Sequence, residues 1–226
     1  DLPASPEAYY QEIGRAGRDG APAETMLFYG LDDIRMRRVF IEEAETSDDH
    51  KRREHKRLDS LIAYCEAPEC RRQMLLRYFG EILGEPCGNC DVCLDPVETT
   101  DGTEEAQMVL TAVRGTGNRF GVAHVVAVLR GRTNEKIDQL GHDALDVYGA
   151  GAARGKKEWQ GIVRQMVAAG LLEIDVSGYG GLKTTAGGAA LLQGEGEFRY
   201  RADRVQKAPV RRHRAAAAAD TLEIGR

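Results

Sequence analysis

Along most of this chain apolar residues recur every three or four positions, and only short stretches alternate. The pattern predicts a mainly α protein with a small amount of β structure. Ser5-Pro6-Glu7 reads as a helix start, with a capping serine, a proline at the first helical position and an acid in the first turn. That helix is expected to pass through Tyr9, Tyr10 and Ile13 to about Arg18 and to stop near Gly20. Thr25–Tyr29 reads as a short buried strand, and the turn at 30–33 leads into a helix carrying Ile34, Val39, Phe40 and Ile41. The charged stretch 42–57, with His50 and His55, reads as a solvated loop and helix face. A stripe of Leu58, Leu61, Ile62 and Cys65 then has helical spacing, which makes Cys65 a core thiol. The next helix is expected to align Met74, Leu75, Tyr78, Phe79 and Ile82 on one face.

The polar stretch 97–103 reads as a linker and domain boundary. Beyond it, helices are predicted at Glu104–Arg114, Val122–Leu129, Asn134–Leu140 and Lys157–Ala169, the last with a stripe of Trp159, Ile162, Val163, Met166 and Val167 and with Gly170 just past its end. Leu172–Val176 and Leu182–Thr185 read as strands joined by a glycine-rich turn through Tyr179. Helices followed by a β-hairpin suggest a winged helix. Residues 195–226, basic and then alanine-rich, read as a disordered or truncated connector.

Four cysteines change this picture. Cys70 is followed, after sixteen residues, by Cys87, Cys90 and Cys93, each two residues from the next. Two residues between thiolates let a turn wrap one ion, and Gly88 and Asn89 tolerate that turn. Four thiolates suit zinc, tetrahedrally and with no open position for a substrate, so the site is expected to be structural. An iron–sulfur cluster is the other metal reading, and disulfides are the third, opposed by the odd total of five cysteines.

The chain has 226 residues, 42% hydrophobic and 30% charged, enough for two small domains and a leftover piece. No apolar run approaches membrane-spanning length, so no membrane partner is expected. The formal charge of −5 argues against a uniformly basic coat and leaves nucleic-acid binding to a local patch. Residues 110–165 hold nine Lys/Arg against five Asp/Glu. Arg119, Arg130, Arg132, Arg154, Lys156 and Lys157 cluster there at turns and helix starts, where backbone amides also meet phosphates. An ordinary solvated surface is the plainer alternative for any one of them. Few aromatics interleave, so contact to the duplex backbone is expected, with little sequence readout. His124 and His142 read as structural.

The N-terminal helix carries Gln11-Glu12-Ile13-Gly14-Arg15-Ala16-Gly17-Arg18-Asp19-Gly20. Arg15 and Arg18, three apart, would share a face, and two guanidinium forks suit a polyphosphate. A solvated basic helix end is the alternative. This stretch resembles motif VI of superfamily 2 helicases. Together with the cysteine spacing, YFGEILGEPCGNCDVCLDP, RFGVAHVVAVLRG, GHDALDVYGAG and EWQGIVRQMVAAGLL, it resembles the RecQ family of DNA helicases over most of the chain, to about Gly194.

The resemblance implies the end of a second RecA-like α/β motor domain over 1–30, a zinc-binding helical subdomain over 31–98 and a winged-helix DNA-binding domain over 99–194. It implies that Arg15 and Arg18 reach the γ-phosphate of Mg·ATP, with Gln11 as a supporting contact, and that Tyr179 at the wing tip could wedge a terminal base pair; an exposed tyrosine is the plainer reading. It also implies 3′-to-5′ unwinding in repair and recombination, duplex and forked DNA as partners, single-strand DNA-binding protein as a further one, and a place in the bacterial cytoplasm at the nucleoid. No P-loop is present: the nearest approach, Gly155-Lys156-Lys157, has Ala150 where the leading glycine belongs and Lys157 where the hydroxyl belongs. The expectation is that the helicase core precedes Asp1 and that this chain alone does not hydrolyse ATP; the sequence carries no trace of the HRDC domain into which many members of the family continue. The rival reading is a standalone DNA-binding or protein-docking module without a motor.

Overall fold

The computed structural model describes residues 2–21, 23–175 and 180–202. Helix α1 (Pro6–Ile13) starts as its sequence dictates, with the Ser5 hydroxyl accepting the Ala8 N–H at 3.2 Å. It ends five residues earlier than expected: Gly14 caps it, and Gly17 adopts a left-handed conformation (φ 69°) that no helix can carry through. Thr25–Tyr29 is not a strand. Among the described residues no strand lies beside it, and Met26 and Phe28 face solvent while Leu27 and Tyr29 turn inward.

Three helices form the platform. In α2 (Leu31–Glu43) the Asp33 carboxylate accepts the Gly30 N–H at 2.8 Å, and α3 (Asp48–Glu66) is capped by Ser47. His55 of α3 pairs with Glu42 of α2 at 2.6 Å, consistent with a side chain at the solvated edge. Leu58, Leu61 and Ile62 are fully buried against Ile34, and α1 joins them through Tyr9, whose ring lies 5.4 Å from that of Tyr64. Helix α4 (Arg71–Tyr78) buries Leu75 but not the expected five-residue face: Ile82 is 93% exposed. Left-handed Gly80 ends the helix first, and the Glu81 N–H closes back on the Leu76 carbonyl at 2.9 Å. The short α5 (Asp91–Leu94) follows.

The second half is a three-helix core with a hairpin. Helices α6 (Thr103–Gly115), α7 (Val122–Leu129) and α9 (Lys156–Ala168) pack their apolar stripes together, while α8 (Glu135–Leu140) is capped by Asn134. A 3₁₀ turn at His142–Ala144 leads towards α9, and Gly170 (φ 71°) terminates that helix as expected. Strands β2 (Leu172–Asp175) and β3 (Gly181–Thr184) pair antiparallel with Ile174 opposite Leu182. Tyr179 lies outside the described residues.

Two expectations about the edges of this unit are corrected. The stretch read as a linker contains β1 (Thr99–Asp101), and the start of the stretch read as a disordered tail contains β4 (Arg199–Arg201). These pair antiparallel, Thr99 opposite Arg201, with Phe198 and Tyr200 buried. The alternation in Phe198-Arg199-Tyr200-Arg201 is a strand pattern whose alternate positions are both arginine, Arg199 exposed and Arg201 half-buried, which gives it the composition of a tail. Helix α10 (Ala186–Leu192), which precedes β4 in the chain, seats on α6. Helix α3 packs on α9, so the buried residues of both halves form one continuous core.

Candidate metal centre and nucleic-acid face

The four cysteines come together from three places. Cys70 caps α4, Cys87 sits in the loop, Cys90 caps α5 and Cys93 lies inside it, with left-handed Gly88 (φ 66°) making the turn. All four sulfurs lie within 4.8 Å of one another. Cys87 and Cys93 are 3.9 Å apart, too far for a disulfide and close to the edge of about 3.8 Å that a tetrahedron of zinc–thiolate bonds would have.

Backbone donors serve the cluster as well: the Cys87 N–H reaches the Cys70 sulfur at 3.3 Å and the Arg71 N–H reaches the Cys90 sulfur at 3.4 Å. Burial pushes the Cys70 thiol up, but amide donors, Cys87 first, outweigh it and bring the group down to about 6. Desolvation and the neighbouring sulfurs push Cys93 up to about 11. Thiols this close oppose one another's ionisation, and a divalent cation removes that conflict. The donor set fits zinc.

Cys65 stays out of this group. It is half-buried against the core, and burial pushes its thiol up to about 12, the behaviour of an inert packing residue. Two residues outside the cysteine pattern organise the centre. Arg71 donates to the carbonyls of Tyr64, Cys65 and Ala67 and to the carboxylate of Asp91. No spacing rule points to it, because its partners come from the end of one helix and the start of another.

Gln11, Arg15 and Arg18 are all exposed. The two arginines do not share a helix face: they sit in successive turns after α1, where the Arg18 Nε donates to the Gly14 carbonyl at 3.1 Å.

The basic residues of the second half fall into two groups. Residues 128–132 run beside 149–155, joined by Gly149 N–H to the Val128 carbonyl (3.0 Å) and Gly151 N–H to the Leu129 carbonyl (2.8 Å). This brings Arg130, Arg132, Arg154, Lys156 and Lys157 to one edge, at the N-terminus of α9. Arg130 donates to the Arg154 carbonyl at 3.1 Å, and Arg154 pairs with Glu105 and lies over the Tyr200 ring, so both help to hold the edge together. Arg132, Lys156 and Lys157 are exposed.

Arg119 belongs to the second group. Its guanidinium and the Lys136 ammonium lie 5.2 and 5.1 Å from the centre of the Phe120 ring, which stacks on His124. His124 Nε2 is 2.8 Å from His142 Nδ1. Burial, then His142 and Lys136, push His124 down to about 4, and burial with Arg119 lowers His142, so this pair is neutral packing. After its first turn α9 has no exposed residue, since from Trp159 onwards every position is buried or half-buried. The helix that reads a groove in many helix-turn-helix proteins is committed to packing here.

A helical zinc-binding module followed by a winged helix is the class that this fold and donor set define. Comparison with known families agrees: a model described as RQC domain matches residues 96–209, and one described as RecQ zinc-binding matches residues 31–94. The chain is 41% identical over 197 residues to the ATP-dependent DNA helicases RecQ of Pasteurella multocida and of Haemophilus influenzae, covering 86% of this chain and 31% and 32% of theirs. The RecQ of Bacillus subtilis is 33% identical over 194 residues, 86% of this chain and 33% of that one. The chain belongs to the RecQ family and corresponds to its C-terminal region. It spans about a third of the length of these curated relatives. Among the described residues no helix is long and apolar enough to cross a membrane.

Proposed function

We propose that this chain is the duplex-holding part of a RecQ-type ATP-dependent DNA helicase that unwinds 3′ to 5′ in repair and recombination at the bacterial nucleoid. The observation that carries the reading is the basic edge formed where 128–132 run beside 149–155 at the first turn of α9. Arg132, Lys156 and Lys157 supply charge there without any exposed recognition face behind them, a surface suited to phosphates and not to bases. Arg130 and Arg154 keep the edge in shape, and Arg119 offers a second phosphate contact. Tyr179 is the candidate for the junction.

The division follows from this. Residues 1–30 close the second motor domain, 31–98 form the platform stapled by structural zinc on Cys70, Cys87, Cys90 and Cys93, and the winged-helix unit begins at 99 and extends through β4. In the complete enzyme Arg15 and Arg18, with Gln11, complete the Mg·ATP site; the exposed turn they occupy leaves both guanidiniums open to a facing lobe. Forked duplex is the substrate, and single-strand DNA-binding protein is a further partner of the winged helix.

The test is forked-duplex affinity of this chain across a salt series, with zinc content and ATPase measured on the same sample. Expected are one zinc, no ATPase, and affinity that falls steeply with salt, with Arg132→Ala and Lys157→Ala each lowering the logarithmic slope by about one. A folded, zinc-loaded chain without duplex binding overturns the reading in favour of a protein-docking module.

A further inference from the structure

Glu66, the last residue of α3, is buried, its side chain 5% exposed. Its Oε1 accepts from the Tyr29 hydroxyl and from Arg164 Nε at 2.5 Å, and its Oε2 accepts from Arg201 Nη2 at 3.1 Å. These partners come from parts of the chain far apart in sequence. Tyr29 ends the stretch after the arginine turn, Arg164 lies in the middle of α9, and Arg201 closes β4. The Arg164 guanidinium also lies over the Tyr29 ring, 5.8 Å from its centre. Next to it, Gln165 accepts the Arg201 N–H and donates to the Arg201 carbonyl, both at 2.9 Å, so α9 grips β4 by its backbone as well.

Apolar side chains of the same volume would fill this position at least as stably, because burying charges costs what their attraction returns. What a carboxylate between two guanidiniums and a phenol adds is direction: each donor meets a particular oxygen at a particular angle. We propose that Tyr29, Glu66, Arg164 and Arg201 form an ionic joint that sets the orientation of the winged helix on the zinc platform and ties both to the segment following the arginine turn. Glu66 is the positioning residue of the joint. Its effect on DNA rests on the duplex-holding reading above, whereas its effect on orientation stands on these contacts alone.

The experiment uses the zinc-loaded chain and its Glu66→Gln variant, followed by hydrogen exchange and small-angle X-ray scattering. Expected for Glu66→Gln are unchanged zinc, unchanged protection in α7, about tenfold faster exchange around Arg164 and in β4, and a broader distribution of intramolecular distances. Tyr29→Phe, which deletes one hydroxyl, gives a smaller rise in the same places and serves as the test should Glu66→Gln fail to fold. A lower melting temperature with unchanged scattering, or faster exchange spread evenly through α7, overturns the proposal. If the wild-type chain fails to bind duplex while the exchange pattern appears, the duplex-holding reading falls and the joint stands. Duplex binding with unchanged exchange gives the reverse.

Discussion

Arg71 grips Asp91 with two nitrogens, Nε and Nη2, each 3.0 Å from a carboxylate oxygen, while its Nη1 donates to the carbonyls of Tyr64, Cys65 and Ala67 at 2.7, 3.2 and 3.0 Å. One side chain thus fastens the end of α3, the start of α4 and the start of α5 around the cysteine cluster. Arg71→Ala should cost about 2–3 kcal/mol, since it strips buried carbonyls of a charged donor. Arg71→Lys keeps the charge without the fork and should recover less than half of that loss. Asp91→Asn, at an exposed carboxylate, should cost under about 1 kcal/mol. Denaturant melts and zinc release to a chromophoric chelator rank the three.

Loss of one thiolate should undo the platform. Cys87→Ser is expected to lose metal and solubility together, and a strong chelator should remove one zinc per wild-type chain with loss of helicity. A soluble, folded and metal-free Cys87→Ser protein would contradict the structural role of the centre.

His124 and Asp91 give the protein two acid-sensitive windows of the same sign. Burial pushes His124 from 6.5 down to about 4, so between these values the unfolded chain binds the extra proton and stability falls as pH is lowered. His124→Gln should flatten that slope, read from denaturation midpoints at intervals between pH 7 and pH 4. Asp91 acts lower: hydrogen bonds from Arg71 hold its carboxyl below the usual carboxylate range, so its contribution is present above the unfolded value and is lost as pH falls through the folded one.

Neighbouring glycines in α10 should answer alanine in opposite ways. A Cβ at Gly188 would lie 2.3 Å from the Leu171 carbonyl oxygen and 2.8 Å from Leu110, so Gly188→Ala should destabilise by about 2–3 kcal/mol. At Gly187 the nearest atom would be 3.5 Å away, and Gly187→Ala should stabilise by up to about 1 kcal/mol through the unfolded chain. Thermal melts of the two variants check the pair.

Where one stretch of sequence holds all the information, the chain is readable. The bounds of α7 follow residue for residue from its pattern, those of α9 within one residue, and the cysteine spacing alone picks out the four sulfurs that the fold brings together. Reading stops where local signals compete, as at Ile82, whose spacing fits a helix that Gly80 has already ended. It stops also where the partner is far away. The carboxylate of Glu66 is one more acid in a charged helix until Arg164 and Arg201 are folded against it, and β1 is a polar turn until β4 arrives from a hundred residues downstream.

With Thr99 opposite Arg201, the winged-helix domain is entered and left through adjacent strands, one hydrogen-bonded spacing of about 5 Å apart. A fold that closes on itself in this way behaves as a cassette: it can be lengthened at its loops, or followed by further sequence, without moving the point at which the chain returns to the platform.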